Sequence, residues 1–244
     1  MDQILARDSG GVRVVTLNRP DRMNAFTPTG YRDLRVTLES ADSSPDIRVV
    51  VIEGGRRAFS AGADLAHLRD DAETQAMKRE FVGLLDALTA FSKPLIAAAA
   101  GAAVGFGATL LLHCDIVLLE NETRLRYPFA ALGTAPEAGS SWLLPHIIGT
   151  QRAMELILSG RWVTAAEAIE MGLAARSHPY DELSAAAVKL AATIAGTPGS
   201  AALVAKALLR EPMRSHIRDA VARENEAAAL LAASVGAPGL TAGR

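Results

Sequence analysis

A run of uncharged residues, 95–112, limits what this chain can fold into more than any other feature of its sequence. It is nearly as long as the ~20 apolar residues that a membrane-spanning helix needs. Alanine and glycine dominate the run, however, and its glycines, the first of which is Gly101, would interrupt a continuous helix. We therefore predict a buried strand over residues 95–100, a turn and a buried helix over residues 106–113, and no membrane partner.

The rest of the chain alternates between strand-like and helix-like apolar patterns. Residues 47–52 are apolar apart from Arg48, and such a stretch is typical of a parallel strand buried on both faces. We predict strands near residues 12–17, 47–52, 95–100 and 115–119, and helices near residues 28–43, 73–91, 106–113, 141–147, 151–158, 165–171, 183–194, 201–209 and 215–233. This order predicts an α/β fold that becomes helical after about Pro136, and residues 236–244 are predicted to form a disordered tail.

Composition excludes several classes of partner. The 244 residues carry a net charge of -2 without a basic stripe, so nucleic acid is not expected to bind. A single cysteine, Cys114, allows no disulfide framework, and the 5 histidines lack metal-ligand spacing, so no metal site is expected. The first residues contain two acids and no apolar core of signal-peptide length. We therefore expect a cytoplasmic protein.

Two segments rich in small residues follow predicted strands. Residues 57–65 would let a ligand approach the backbone closely, although a tight turn capped by Ser60 or Asp64 is an alternative interpretation. Residues 101–109 open a helix, whose first N–H groups are unpaired and lie at the positive end of the helix dipole. A dinucleotide-binding loop would need a third glycine where the chain has Leu110, so we favour an anion site made of backbone N–H groups.

A third segment, residues 133–142, places Glu137 among small residues where a helix is predicted to begin. One interpretation is structural, because a glutamate in the first helical turn is favoured by the helix dipole. The other is catalytic, with Glu137 acting as a general base whose pKa is raised by burial under Phe129 and Trp142. The segment alone does not decide between them.

Taken together and in this order, these segments resemble the crotonase superfamily, also called the enoyl-CoA hydratase/isomerase family. The resemblance spans roughly residues 3–210 and includes Asn-Arg-Pro-Asp-Arg-Met-Asn-Ala at 18–25, Phe-Ser-Ala-Gly-Ala-Asp-Leu at 59–65 and Gln-Arg-Ala-Met-Glu-Leu at 151–156. It implies a spiral of β-β-α turns with a helical C-terminal part. The implied divisions are an α/β core over residues 1–195 and a helical trimerisation part over residues 196–235, in a homotrimer or a dimer of trimers.

The resemblance also implies the site. The N–H groups of Ala63 and Phe106 would form an oxyanion hole for an acyl-CoA thioester. Coenzyme A would be part of the substrate, and no separate cofactor is implied. The implied coenzyme A contacts are Arg22, Ala25, Ala61, Asp64 and Leu65.

The sequence departs from the family pattern in informative places. Family hydratases carry two glutamates where this chain has Thr109 and Phe129. Glu137, in contrast, occupies a place that resembles the base of certain family isomerases, with Phe129 and Trp142 as an apolar wall. The acidic, aromatic and basic terminal helix common in the family is also missing. Three hypotheses remain: a double-bond isomerase that uses Glu137, a hydratase, and a non-catalytic acyl-CoA-binding protein.

Overall fold

The computed structural model describes residues 2–68 and 71–235 of the chain. The strands are β1 (Ile4–Ser9), β2 (Val12–Leu17), β3 (Val49–Glu53), β4 (Ala58–Ser60), β5 (Leu95–Ala99), β6 (Ala102–Val104), β7 (Ile116–Glu120), β8 (Arg124–Arg126), β9 (Trp162–Thr164) and β10 (Arg176–His178). The α-helices are α1 (Pro28–Ser43), α2 (Asp71–Ala90), α3 (Phe106–His113), α4 (Ser140–Ile148), α5 (Thr150–Ser159), α6 (Ala165–Met171), α7 (Tyr180–Ala195) and α8 (Ala201–Val235).

One pattern recurs along the α/β part of the chain. A longer strand joins a six-stranded sheet, a short strand then joins a four-stranded sheet, and a helix follows. The successive turns are β3-β4-α2, β5-β6-α3 and β7-β8-α4. The strand orders are β1-β2-β3-β5-β7-β10 and β4-β6-β8-β9. The predicted spiral of β-β-α turns with a helical C-terminal part is thereby confirmed.

The two faces of the six-stranded sheet are covered differently. One face packs on the main core, to which Leu34 of α1, Leu84 of α2 and Leu110 of α3 contribute. The other face packs on α7 through Leu183 and Ala187. Burial on both faces is why β5 is entirely apolar and β3 is apolar up to Glu53 at its end.

The predicted strand and buried helix of the uncharged run are present, but the predicted turn between them also contains a short strand, β6. The run forms β5, a turn, β6 and α3, and every residue of α3 is buried. Within residues 2–68 and 71–235, no helix is long and apolar enough to cross a membrane. The glycines of the run lie outside the strands, and Gly101 has a φ of 65°, which a side chain rarely permits.

The short strands of the smaller sheet are absent from the predictions. β4, β6 and β8 each contain three residues, which is too few for an alternating pattern to be recognised. The prediction of separate helices over residues 201–209 and 215–233 is wrong, since α8 is one helix of 35 residues with Pro212 inside it.

The helix α8 continues through Pro212 because tertiary contacts hold it on both sides of the proline. Before it, Lys206 and Arg210 form ion pairs of 2.8 and 2.9 Å with Asp115. After it, Ile217 is buried in the main core. These contacts offset the ~3 kcal/mol that a proline costs within a helix.

The predicted boundary between residues 1–195 and 196–235 coincides with the end of α7 at Ala195. Residues 236–244, predicted as a disordered tail, lie outside the described part of the chain. The role of residues 196–235 in trimerisation stays a prediction.

Replacement of Asp115 tests the attachment of α8. Its carboxylate also accepts a hydrogen bond of 2.8 Å from the N–H of Leu95, so it joins α8 to the sheet. We expect Asp115→Asn to lower the free energy of unfolding by about 1–3 kcal/mol, because two cations then lose their counterion. Urea denaturation followed by circular dichroism measures this. Asp219→Asn, an exposed position on α8, is the control, and equal stabilities of the two variants would contradict the prediction.

Candidate functional site

Two loops meet at the carboxyl ends of β4 and β6, which are parallel neighbours in the smaller sheet. Gly62 has a φ of 85°, and a Cβ there would lie 2.6 Å from the carbonyl oxygen of Val104 and 3.1 Å from the nitrogen of Phe106. A Cβ at Gly107 would lie 2.1 Å from the carbonyl oxygen of Ser60. Only glycine permits this approach, so the backbones of the two loops are in direct contact.

Each loop presents a backbone N–H group without an acceptor among the described residues. The N–H of Phe26 donates to Gly62, and that of Asp64 donates to Phe26, whereas the N–H of Ala63 between them makes no described hydrogen bond. The N–H of Phe106 is likewise free, because this residue begins α3. Two such donors side by side can stabilise an oxyanion, as the resemblance implied.

The side chain of Asn24 joins the early turn to β4, and the sequence analysis did not identify it. Its Oδ1 accepts a hydrogen bond of 2.8 Å from the N–H of Arg19, and its Nδ2 donates to the carbonyl oxygens of Ala58 and Phe59. The hydroxyl of Ser60 donates to the Asn24 carbonyl oxygen at 2.8 Å. Its φ of 54° lies in the left-handed region, which asparagine tolerates. An asparagine within the turn segment 18–25 was the available sequence signal.

The predicted coenzyme A contacts lie on the early turn and on the loop that follows β4. The N–H of Ala61 donates to the carbonyl oxygen of Met23, which holds the two segments together. Arg22 and Leu65 are exposed, and Ala25 is partly buried. The carboxylate of Asp64 forms an ion pair of 2.6 Å with Arg19, so its side chain serves the structure of the loop. Binding of coenzyme A by these residues stays a prediction.

Four aromatic rings pack behind the oxyanion loops. Phe26 stacks on Tyr31 with ring centroids 4.9 Å apart, and Phe81 and Phe106 meet them edge to face. The ring of Phe106 is therefore a core contact, whereas its N–H is free. Burial, and then the nearby charge of Glu137, raise the pKa of Tyr31 well above its ordinary value. Tyr31 thus lies near the candidate base, which the sequence analysis did not predict.

Glu137 lies in the turn before α4 and is partly buried. No hydrogen bond to its carboxylate is present among the described residues. Burial, and to a smaller extent the negative charge of Glu224, raise the pKa of this carboxyl to about 7. A carboxylate with a pKa near neutrality can both accept and return a proton, as a catalytic base must. The structure also adds a cause that sequence reasoning missed, because Glu224 comes from α8.

The two residues predicted as an apolar wall have different surroundings. Phe129 is 4% exposed and belongs to the main core. Trp142 stacks on His146 of its own helix and on His216 of α8, with centroids 4.5 and 5.2 Å away. The described ring contacts of Trp142 therefore serve the packing of α4 on α8, and its contact with substrate stays a prediction. Thr109 is buried in α3, so neither hydratase glutamate position supplies a carboxylate.

The candidate site combines two backbone donors with one partly buried carboxyl, Glu137. Among the residues whose placement is described, no group of histidine, cysteine, aspartate and glutamate side chains could hold a metal ion. The roles of the Ala63 and Phe106 N–H groups in polarising a carbonyl, and of Glu137 in proton transfer, stay predictions.

Known proteins resemble this chain in sequence over most of its length. The family described as Enoyl-CoA hydratase/isomerase matches residues 7–233. The 2,3-dehydroadipyl-CoA hydratase of Escherichia coli (strain K12) is 34% identical over 234 residues, which are 96% of this chain and 92% of that protein. The 1,2-epoxyphenylacetyl-CoA isomerase of the same strain is 34% identical over 204 residues, 81% of this chain and 78% of that protein.

A solved structure extends the likeness to three dimensions. The enoyl-CoA hydratase/isomerase from Pseudoalteromonas atlantica T6c superposes with a TM-score of 0.91 at 32% identity, covering 95% of this chain and 92% of that one. Family match, sequence identity and fold thus agree over nearly all of the described residues. The chain is an enzyme of the enoyl-CoA hydratase/isomerase family, within the crotonase superfamily, which acts on coenzyme A thioesters.

Proposed function

We propose that the protein is a Δ3,Δ2-enoyl-CoA isomerase, or a near relative that shifts a double bond in a ring-derived acyl-CoA. The observation that carries this proposal is the partly buried carboxyl of Glu137. Its pKa is raised to about 7, and its charge acts on Tyr31, whose ring packs on Phe106 of the proposed oxyanion hole. Hydration needs one group to activate water and another to protonate the α-carbon. Isomerisation needs only one group that removes a proton and returns it.

The chemistry follows from the geometry. The thioester carbonyl oxygen accepts hydrogen bonds from the N–H groups of Ala63 and Phe106. Glu137 removes a proton from C2, and the negative charge spreads to the carbonyl oxygen and to C4. The same carboxyl then returns the proton at C4, so the double bond moves from C3–C4 to C2–C3 without gain or loss of atoms. Each donor of such a hole contributes roughly 10²–10³-fold to kcat.

A hydratase remains the second candidate, because relatives such as the 2,3-dehydroadipyl-CoA hydratase carry that name. In that reaction Glu137 and a bound water would share the acid and base roles. The positions of Thr109 and Phe129, which lack carboxylates and are buried, favour the isomerase. Cytoplasmic localisation also belongs to the proposal, and the single cysteine is compatible with the reducing compartment that it implies.

We further propose that a second copy of the chain covers the apolar outer face of α8, as in a trimer or a dimer of trimers. Leu208 and Leu209 are 74% and 75% exposed. Beside them, a cavity of about 720 Å³ is lined by Ile147, Leu173 and Met213 among others. An apolar surface of this kind is typical of a protein interface.

The identity of the base is tested by Glu137→Gln. We expect it to lower kcat for conversion of a 3-enoyl-CoA by roughly 10²–10⁴-fold, because the amide cannot take the proton, while acyl-CoA binding is retained. Product mass and ultraviolet absorbance follow the reaction, and Glu122→Gln at an exposed position is the control. Unchanged turnover would remove Glu137 from this role.

Further arms of the same assay separate the other hypotheses. A water adduct formed from a 2-enoyl-CoA would instead identify a hydratase. Incorporation of solvent deuterium at C2 of a bound acyl-CoA would exclude a protein that only binds its ligand.

The pH dependence of kcat/KM reports the ionisation of the base. We expect activity on a 3-enoyl-CoA to rise as the pH increases through about 7, because Glu137 must lose its proton before it can accept one from C2. An exposed glutamate would place this rise near its ordinary pKa of about 4.3. A profile that is already flat at pH 5–6 would contradict the raised pKa.

The oligomer is tested by Leu209→Glu. We expect the wild type to show three or six times the chain mass of 25.6 kDa, and the variant to dissociate, because a charge within an apolar interface loses its solvation. Light scattering coupled to size-exclusion chromatography measures the mass. Val36→Glu, at an exposed position on α1, should leave it unchanged. A monomeric wild type would overturn the proposal.

A further inference from the structure

The helix α8 places a buried carboxylate against the turn that bears Glu137. Glu224 is 6% exposed. One of its carboxylate oxygens accepts a hydrogen bond of 2.7 Å from the N–H of Gly139, and the other accepts one of 2.8 Å from the N–H of Ser141. These N–H groups lie at the start of α4, where no intrahelical acceptor is available. Glu224 therefore caps α4 from a distant part of the sequence.

The turn needs such support because its backbone is strained. Ala138 has a φ of 60° and the following Gly139 a φ of 71°. A non-glycine residue in this region is sterically disfavoured, because its Cβ approaches the following carbonyl oxygen. Such a conformation persists only where the surroundings impose it. Glu137 directly precedes Ala138. The groups that hold the turn therefore also determine the position of the Glu137 side chain.

A second contact holds the turn from the opposite side. Nε2 of His113, at the end of α3, lies 2.8 Å from the carbonyl oxygen of Ala138. Burial lowers the pKa of His113 to about 4, so the ring is neutral. Since a carbonyl oxygen only accepts, Nε2 carries the proton and donates it to this bond. The turn is thus fixed between α3, which also supplies the N–H of Phe106, and α8.

We propose that Glu224 is the positioning residue of the catalytic turn, holding Glu137 in place through the two N–H groups and acting on its proton transfer through a buried negative charge. This inference rests on the proposed function, because it takes Glu137 as the base. By this inference α8 contributes to the site as well as to the proposed interface between subunits. No part of it requires Glu224 to touch the substrate.

The charged and titratable groups around Glu137 support an effect of charge. Tyr31 faces it from α1, neutral His113 holds the neighbouring carbonyl oxygen from α3, and Glu224 comes from α8. Of these, Glu224 is the group whose charge raises the pKa of Glu137. Burial raises the pKa of Glu224 itself, although its hydrogen bonds with Ser141 and Gly139 and the charge of Arg223 favour the ionised form.

The experiment compares Glu224→Gln with Glu226→Gln in the full-length protein. Both substitutions remove one negative charge from α8, but Glu226 is exposed and makes no contact with the turn among the described hydrogen bonds. An amide at residue 224 can accept only one of the two hydrogen bonds. The pKa of Glu137 is read by ¹³C NMR of glutamate-labelled protein, with Glu137→Gln used to assign its signal. Thermal unfolding by circular dichroism verifies that each variant is folded.

We expect Glu224→Gln to lower the pKa of Glu137 below the wild-type value, and to lower kcat roughly 10- to 100-fold with little change in KM. Glu226→Gln should match the wild type in the pKa of Glu137, in kcat and in KM. A pKa of Glu137 in Glu224→Gln equal to that in the control overturns the inference, whatever the turnover. A lowered pKa with control-level kcat overturns it as well. Turnover that survives Glu137→Gln would instead overturn the proposed function. The NMR titration distinguishes the two outcomes, because it measures the effect of Glu224 on the pKa of Glu137 independently of turnover.

Discussion

The site depends on two stretches of main chain lying directly against each other without an intervening side chain. The carbonyl oxygen of Ser60 occupies the space where a Cβ of residue 107 would be. The carbonyl oxygen of Val104 likewise occupies the space where a Cβ of residue 62 would be. This contact brings the free N–H groups of Ala63 and Phe106 to one place. The parallel pairing of β4 with β6, the buried helix α3 and the aromatic cluster behind it all maintain that contact. Asn24 then ties the early turn to the same strand.

The second constraint concerns Glu137, the proposed base. Its ionised carboxylate lowers the free energy of unfolding of the protein. The folded state binds the proton of Glu137 more tightly than the unfolded state, since its pKa rises from 4.5 to about 7 on folding. The free energy of unfolding therefore falls as the pH increases from about 4.5 through 7, by about 1.4 kcal/mol for each unit of the shift. The free energy of unfolding falls because the ionised carboxylate of Glu137 is poorly solvated. Poor solvation also makes the carboxylate a stronger base.

Much of this arrangement was predictable from local sequence. The segments of small residues after apolar strands indicated close backbone approach, and the strand β5 and the buried helix α3 of the uncharged run were predicted, although β6 between them was not. What escaped prediction depends on tertiary contacts. Strands of three residues, such as β4, have no periodicity of their own. The continuity of α8 through Pro212 depends on Asp115, and the surroundings of Glu137 depend on Glu224, which lies far along the chain. Neither pairing has a signal in a single sequence.

Because both donors of the proposed oxyanion hole are main-chain groups, the hole depends little on which side chains stand at residues 63 and 106. The ring of Phe106 packs in an aromatic cluster and leaves its N–H without a described acceptor. The proposed base, in contrast, is a side chain, Glu137, in the turn before α4. Moving a carboxylate to another position on this fold can therefore change the reaction, while the two backbone donors stay in place.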